Sequence, residues 1–332
     1  MEHFDPEKVF NGHRDRYMEI LKPLFFPHPE IQGDVVCYFA SLLRMLGIED
    51  KGWDPYAESK SILDDLNRLM KTGIPEEEKT PWRLGLLLYC HIVEMDAPYD
   101  VLANLLRYRL GKGYSPSPFY DFLGEKEKKN FAKNGIRTGR KIAIIKELSV
   151  EADLKVGDIF EEFYNNKLRN AVQHSDFILE DKEFRSRNGI SGVKSFVIDY
   201  EKIDVLITKS KAFIAAFFKI EIISRQIWGL EKGKAIPYDD CYKGLLEILV
   251  DDRDLLCGFS VHWPNNSQSV YRRTETGIEM INCSLNVKEA GVNLWVDLYA
   301  RNPGQFSPLV EHDAEPIYAP LENSDIRPSW PK

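Results

Sequence analysis

The chain lacks the short motifs that many enzyme classes carry. No Gly-x4-Gly-Lys-Ser/Thr, no Gly-x-Gly-x-x-Gly after a strand, no Gly-x-Ser-x-Gly and no His-Glu-x-x-His occurs. P-loop nucleotide hydrolysis, dinucleotide redox chemistry, α/β-hydrolase chemistry and zincin proteolysis are therefore without support. Cysteine is sparse: Cys37, Cys90, Cys241, Cys257 and Cys283 are odd in number, far apart and form no Cys-x-x-Cys pair. That argues against a zinc ribbon or a disulfide framework and leaves mostly buried free thiols. The longest apolar run, residues 212–218, is far short of the ~20 residues that a membrane helix needs. The opening residues are charged (Glu2, Asp5, Glu7, Lys8, Arg14, Asp15, Arg16), so no secretory signal is expected and the chain reads as cytoplasmic, with no membrane partner. The sequons at Asn265 and Asn282 carry no weight without secretion. Positive charge is not in excess either: 44 basic against 52 acidic residues give a net charge of −8. Such a chain does not coat nucleic acid through its overall charge, although a local basic site remains open to it.

What is present is a long, ordinary globular composition. With 332 residues, 43% hydrophobic and 29% charged, the chain can bury a large core in more than one domain. Apolar residues at helical spacing predict helices over residues 35–46, 61–70, 82–94, 100–110, 140–148, 158–174 and 200–228, with Pro23, Pro27 and Pro29 breaking the first stretch. Gly229 stands where a C-cap glycine belongs. Residues 74–81 read as a linker, residues 111–118 as a loop, and residues 194–198 as a short strand. Past residue 230 the texture changes to short aromatic or alternating runs at 257–263, 269–273, 279–285 and 293–299. Turn residues lie between them (Pro264-Asn265-Asn266, Thr276-Gly277), and an extended tail runs from Asn302. The expected architecture is mainly α: an N-terminal helical region (1–78), a helical bundle (79–230) and a C-terminal mixed α/β region with its tail (231–332).

Chemistry concentrates in residues 163–177, and within them in Arg169-Asn170-x-x-x-His174. Asp158 and Glu161 resemble a capping box. Ile159, Phe160, Phe163, Tyr164, Leu168, Ala171 and Val172 form an apolar face behind it. Asn166, Lys167, Arg169, Asn170, Gln173 and His174 form the other face, where Asn170 and His174 are i,i+4 neighbours. An acidic start and a basic end also suit the helix dipole, and that is the plain structural explanation for Arg169 and His174. The Arg-Asn-x-x-x-His pattern, followed by Ser-Asp-Phe, resembles the HEPN family (higher eukaryotes and prokaryotes nucleotide-binding domains). The resemblance covers the motif and the long helix that follows, not the first or last hundred or so residues.

The resemblance implies a compact all-α fold, a homodimer formed through the motif-bearing helices, and metal-independent endoribonuclease activity needing no cofactor. RNA would be the substrate, in a toxin or phage-defence setting with an antitoxin or regulatory protein as partner. In that chemistry His174 moves a proton, Arg169 stabilises the phosphorane and Asn170 orients the site. The products would be a 2′,3′-cyclic phosphate and a 5′-hydroxyl. Supporting candidates are Glu94, expected to orient His174, with His91 and Gln173. His91 and Glu94, i,i+3 on one helix, also suggest a metal site, against the plainer reading of a His–Glu hydrogen bond at a helix end.

Residues 124–141 carry seven basic residues against two acidic ones. Lys128, Lys129, Lys133, Arg137, Arg140 and Lys141 are the RNA-binding candidates, set against the alternative of a solvated loop. His262-Trp263, Arg272 and Arg273 suggest base stacking or, more plainly, sheet packing. Two other readings stay open: a helical module that binds a ligand, nucleotide or protein without catalysis, and an unrelated helical enzyme with its site elsewhere.

Overall fold

The computed structural model is mainly helical, with small antiparallel sheets toward its C-terminal part. It describes residues 6–27, 35–44, 55–71, 79–115, 117–187, 194–238, 244–263, 268–273, 278–281, 284–288 and 291–295. Most of the expected linker at 74–81, the turns at 264–266 and 276–277, both sequons and the tail from Asn302 lie wholly or partly outside those residues.

The helices are α1 Pro6–Phe25, α2 Val35–Leu43, α3 Pro55–Lys71, α4 Thr80–Glu94, α5 Asp96–Arg109, α6 Glu125–Asn134, α7 Thr138–Glu151, α8 Val156–Glu161, α9 Asn166–Gln173 and α10 Tyr200–Gly229. Two departures from expectation concern helix ends. Pro23 falls inside the last turn of α1 rather than ahead of a break. Residues 125–134, for which a solvated loop was one of two readings, are helical. The Glu127 carboxylate accepts the Gly124 N–H at 3.0 Å and starts α6. Gly135, at φ 60°, then ends it in backbone space that other residues rarely enter.

The chain divides into two compact units, each assembled from separated stretches. One comprises Met1–Lys22, Pro55–Tyr99 and Ile136–Lys219; the other comprises Pro23–Asp54, Asp100–Gly135 and Ile220–Lys332. The three consecutive regions expected from the sequence do not coincide with them. An apolar stripe shows that a helix is covered but not by what, and these units pair segments far apart in sequence.

In the first unit α4, α7, α8, α9 and the early part of α10 share a core. Phe160, Phe163 and Phe213 are buried and mutually packed, with ring centroids 5.1 to 5.9 Å apart. Burying each such ring contributes roughly 1.5–3 kcal/mol. A Cβ on Gly85 would meet the Ile207 side chain at 3.0 Å, so α4 lies close on α10. Between α9 and α10 runs a small antiparallel sheet of β1 Phe177–Leu179, β2 Glu183–Ser186 and β3 Val197–Asp199. Only the last of these was foreshadowed, at 194–198. Three- and four-residue strands leave almost no periodicity to read.

The second unit contains an antiparallel meander of β4 Ala235–Tyr238, β5 Gly244–Val250, β6 Leu256–His262, β7 Gln268–Arg273 and β8 Ile278–Ile281. A two-stranded ladder follows, β9 Ser284–Lys288 with β10 Gly291–Trp295. β6 is buried along nearly its whole length, and Phe259 stacks on Tyr271 at 6.1 Å. Of the four expected strands, 257–263 and 269–273 correspond to β6 and β7, 279–285 runs from β8 into the start of β9, and 293–299 overlaps only the end of β10, its remainder lying outside the described residues; β4, β5 and most of β9 were not anticipated. Gly-Leu-Leu-Glu-Ile-Leu-Val is apolar apart from Glu247, and spacing alone does not distinguish so short a run from buried helix. Among the described residues no helix is long and apolar enough to cross a membrane.

Candidate functional site

The segment expected as one amphipathic helix from Asp158 to His174 is two. α8 ends at Glu161, the chain breaks over residues 162–165, and α9 begins at Asn166. Asp158 lies in the first turn of α8 and caps nothing. The cap that matters is Asn165, whose side chain accepts the N–H groups of Lys167 (3.1 Å) and Leu168 (3.0 Å). The buried Tyr89 hydroxyl satisfies the broken backbone by donating to Phe163 O at 2.8 Å and accepting from Asn165 N at 2.9 Å. At the other end Ser175 adopts φ 55°. Its N–H reaches Val172 O and that of Asp176 reaches Ala171 O, a Schellman closure. α9 is thus short and pinned at both ends, and His174 is its C-cap.

Within α9 the Arg169 guanidinium is engaged from behind. Nε donates to Glu94 Oε1 and Nη2 to Glu94 Oε2, both at 2.6 Å, and Nη1 donates to Asn170 Oδ1 at 2.8 Å. The hydrogen bonds it donates to Glu94 push the Arg169 pKa further up, so its charge is permanent. The same Glu94 carboxylate accepts from Thr138 Oγ1 at 3.1 Å and 3.2 Å. Glu94 therefore serves Arg169 and the first turn of α7, and it does not orient His174 as expected. His174 is exposed, with no side-chain hydrogen bond among the described residues. Cys90, one turn before Glu94, is buried, and its thiol is pushed up to about 12, first by burial and then by the Glu94 charge. It is neutral and takes no part as a nucleophile.

Arg169, Asn170 and His174 line a cleft of about 590 Å³ together with Arg137, Thr138, Gly139, Arg140, Tyr164 and Asn166. Three guanidiniums and an imidazole contribute to the lining, and no carboxylate does. The α7 N-terminus, the positive end of that helix dipole, borders the same space. Arg137 has no side-chain partner among the described residues, whereas Arg140 reaches Glu147 at 3.3 Å. Tyr164 donates to Asn166 Oδ1 at 3.1 Å. A Cβ on Gly139 would lie 3.1 Å from the Tyr164 hydroxyl, so glycine there is what admits the phenol to the α7 turn. Burial raises the Tyr164 pKa; Arg169 lowers it and Glu94 raises it.

The expected residues separate accordingly. Arg169, Asn170, His174, Arg137 and Arg140 come together. Glu94 stands behind them. His91 faces away, its Nε2 2.8 Å from Ser59 O, so the anticipated His–Glu bond does not form. Gln173 is exposed and outside the cleft lining. Lys141 is buried and spends its charge on Asp96 at 2.6 Å. Lys128, Lys129 and Lys133 lie on α6, in the other unit. The charges of the basic segment are thus divided between two helices and between the two units. Thr138, Gly139, Tyr164 and Asn166 were not anticipated. Their only advance signal was adjacency to the glycines and to the Asn-Asn pair.

Elsewhere, His262 Nε2 lies 3.0 Å from Ser260 Oγ and 3.2 Å from Glu247 Oε2. Both contacts converge on one ring nitrogen, which is not the relay geometry of a nucleophilic triad. Among the described residues no group of three His, Cys, Asp or Glu is placed to hold a metal ion. Comparison with protein-family profiles, with curated proteins and with solved structures gave no match in any of the three.

Proposed function

We propose that this chain is a metal-independent endoribonuclease of the HEPN type, working as a homodimer in a toxin or phage-defence setting. The observation that carries the reading is the cleft. An exposed imidazole with no side-chain partner among the described residues stands beside three guanidiniums, and no carboxylate lines the space. Phosphodiester anions suit such a lining, and neutral or cationic substrates do not.

In the reaction a 2′-hydroxyl attacks the adjacent phosphorus. A 2′-O–P bond forms and the P–O5′ bond breaks. A base removes the proton of the 2′-hydroxyl, and an acid returns one to the departing 5′-oxygen. The products are a 2′,3′-cyclic phosphate and a 5′-hydroxyl. His174 takes one of the two proton roles, and His174 of a second copy supplies the other. Arg169, with Arg137 and Arg140, stabilises the charge that builds on the phosphorane. The test is RNA cleavage in EDTA by wild type and by His174→Ala. Loss of cleavage in a variant that keeps its fold supports the assignment, and equal cleavage by both contradicts it.

A second reading has its own observation. Three of the five N–H donors of Arg169 are already satisfied within the chain. A module that binds phosphorylated ligands without cutting them needs no more than the remaining donors and Arg137. Stable binding of RNA by wild type without cleavage favours that reading.

A further inference from the structure

We infer that Glu94 is a positioning residue that trades affinity for alignment. It fixes which donors of Arg169 face the cleft, and through Thr138 it ties that guanidinium to the α7 turn carrying Arg137 and Arg140. The turnover part of this inference rests on the nuclease reading; the affinity part does not.

A guanidinium offers five N–H groups in one plane. Glu94 takes the Nε proton and one on Nη2, and Asn170 takes one on Nη1. The two that remain belong to the terminal nitrogens of a group that lines the cleft. Without Glu94 the side chain has several rotatable bonds and no fixed partner, and its fork swings. The carboxylate also accepts from Thr138 Oγ1, so the two walls, α9 and the start of α7, are indexed to a single pair of oxygens. Asn170 extends the chain of contacts: its backbone carbonyl accepts the His174 N–H at 3.0 Å. Against these gains stands a cost. A negative charge directly behind an anion site repels the ligand, and an ion pair contributes less net positive charge than a free arginine. A carboxylate kept there in spite of that cost is explained by alignment.

Turnover and affinity separate the two effects. Single-stranded RNA reports turnover. The same sequence carrying 2′-O-methyl groups, which lacks the attacking hydroxyl, reports affinity. Glu94→Gln is expected to lower turnover on the order of 10²-fold, the scale of a misplaced reacting group. It should also tighten binding of the 2′-O-methyl oligonucleotide roughly fivefold. Glu94→Asp keeps the charge but falls one methylene short. It should lose turnover to a similar degree while binding as wild type does. Thr138→Val, which cuts the tie and leaves the charge, should behave like Glu94→Asp.

Circular dichroism and melting establish that each variant is folded, and should Glu94→Gln not fold, the other two decide. Wild-type turnover in Glu94→Gln overturns the inference, as does affinity that weakens in step with turnover. If wild type binds but does not cleave, the nuclease reading falls and the affinity arm still decides: tighter binding by Glu94→Gln supports the inference, and unchanged or weaker binding overturns it. A wild type that binds no oligonucleotide overturns both.

Discussion

His174 and His262 stand in opposite chemical circumstances. His174 caps a short helix, lies exposed among arginines and has no side-chain hydrogen bond among the described residues. His262 sits on a strand, half-buried, within reach of Ser260 and Glu247. Taken as residue types alone, Ser, His and Glu are the more suggestive set. The geometry reverses that order. A relay needs the nucleophile on one ring nitrogen and the orienting carboxylate on the other, and His262 has both neighbours on Nε2. Glu162 and Glu94, both in the first unit, make a parallel contrast. Glu162 is enclosed by Arg16, by Tyr17 at 3.0 Å, by His13 at 3.5 Å and by Lys209 at 3.5 Å. It pins the first helix onto the break ahead of α9. Glu94 instead stands at the edge of open space.

Removing each histidine in turn separates their roles. His174→Ala should cost RNA cleavage at least about 10²-fold, the ordinary share of an acid or base, with the unfolding midpoint unchanged. His262→Ala should leave cleavage intact and cost about 1–2 kcal/mol of stability in a denaturant titration, from a buried serine hydroxyl left without its partner. Reversal of those two outcomes would sink the contrast.

Next in size is Glu162→Gln. Burial alone pushes the Glu162 pKa up. The hydrogen bonds from Arg16 and Tyr17, with the charges of Arg16 and Lys209, outweigh burial and hold it below its ordinary 4.5. A depressed folded pKa means that the stabilisation is complete above 4.5 and is lost as pH falls through the lowered value. The variant should therefore be less stable than wild type by about 1.5–3 kcal/mol at neutral pH. The gap should close on acidification below 4.5. A gap that widens in acid contradicts the assignment.

Arg137→Ala should weaken binding of a 2′-O-methyl oligonucleotide about equally for every sequence. It should also reduce the slope of log affinity against log salt by about one, since a phosphate contact carries no base information. Salt titration of wild type and variant reads it directly. The smallest effect is expected of Asn165→Ala, which deletes the α9 cap and should cost about 1 kcal/mol. Hydrogen exchange should find that loss in α9 rather than spread over the unit.

Much of the helical framework was legible, because α4, α5, α7 and α10 carry apolar residues at three- and four-residue spacing over several turns. Arg169, Asn170 and His174 could be singled out as a set because they are close in sequence. The break at 162–165 was hidden by Asp158 and Glu161, which imitate a capping box, while the real cap, Asn165, lay unremarked in the Asn-Asn pair. The role of Glu94 was misread for a different reason. Its distance from Arg169 is 75 residues along the chain, and only the packing of α4 against α9 decides which polar group it meets. Lys141 looked like its basic neighbours, yet a single turn of helix buries it against Asp96. The small sheets were the least legible part, since three- and four-residue strands and a β5 interrupted only by Glu247 leave little alternation to detect.

The decisive measurement maps the ends of RNA incubated with the wild-type protein in EDTA. The cleft chemistry predicts cleavage that persists without divalent ions and leaves 2′,3′-cyclic phosphate and 5′-hydroxyl termini. Cleavage that requires a divalent ion, or that leaves 5′-phosphate and 3′-hydroxyl termini, would contradict it.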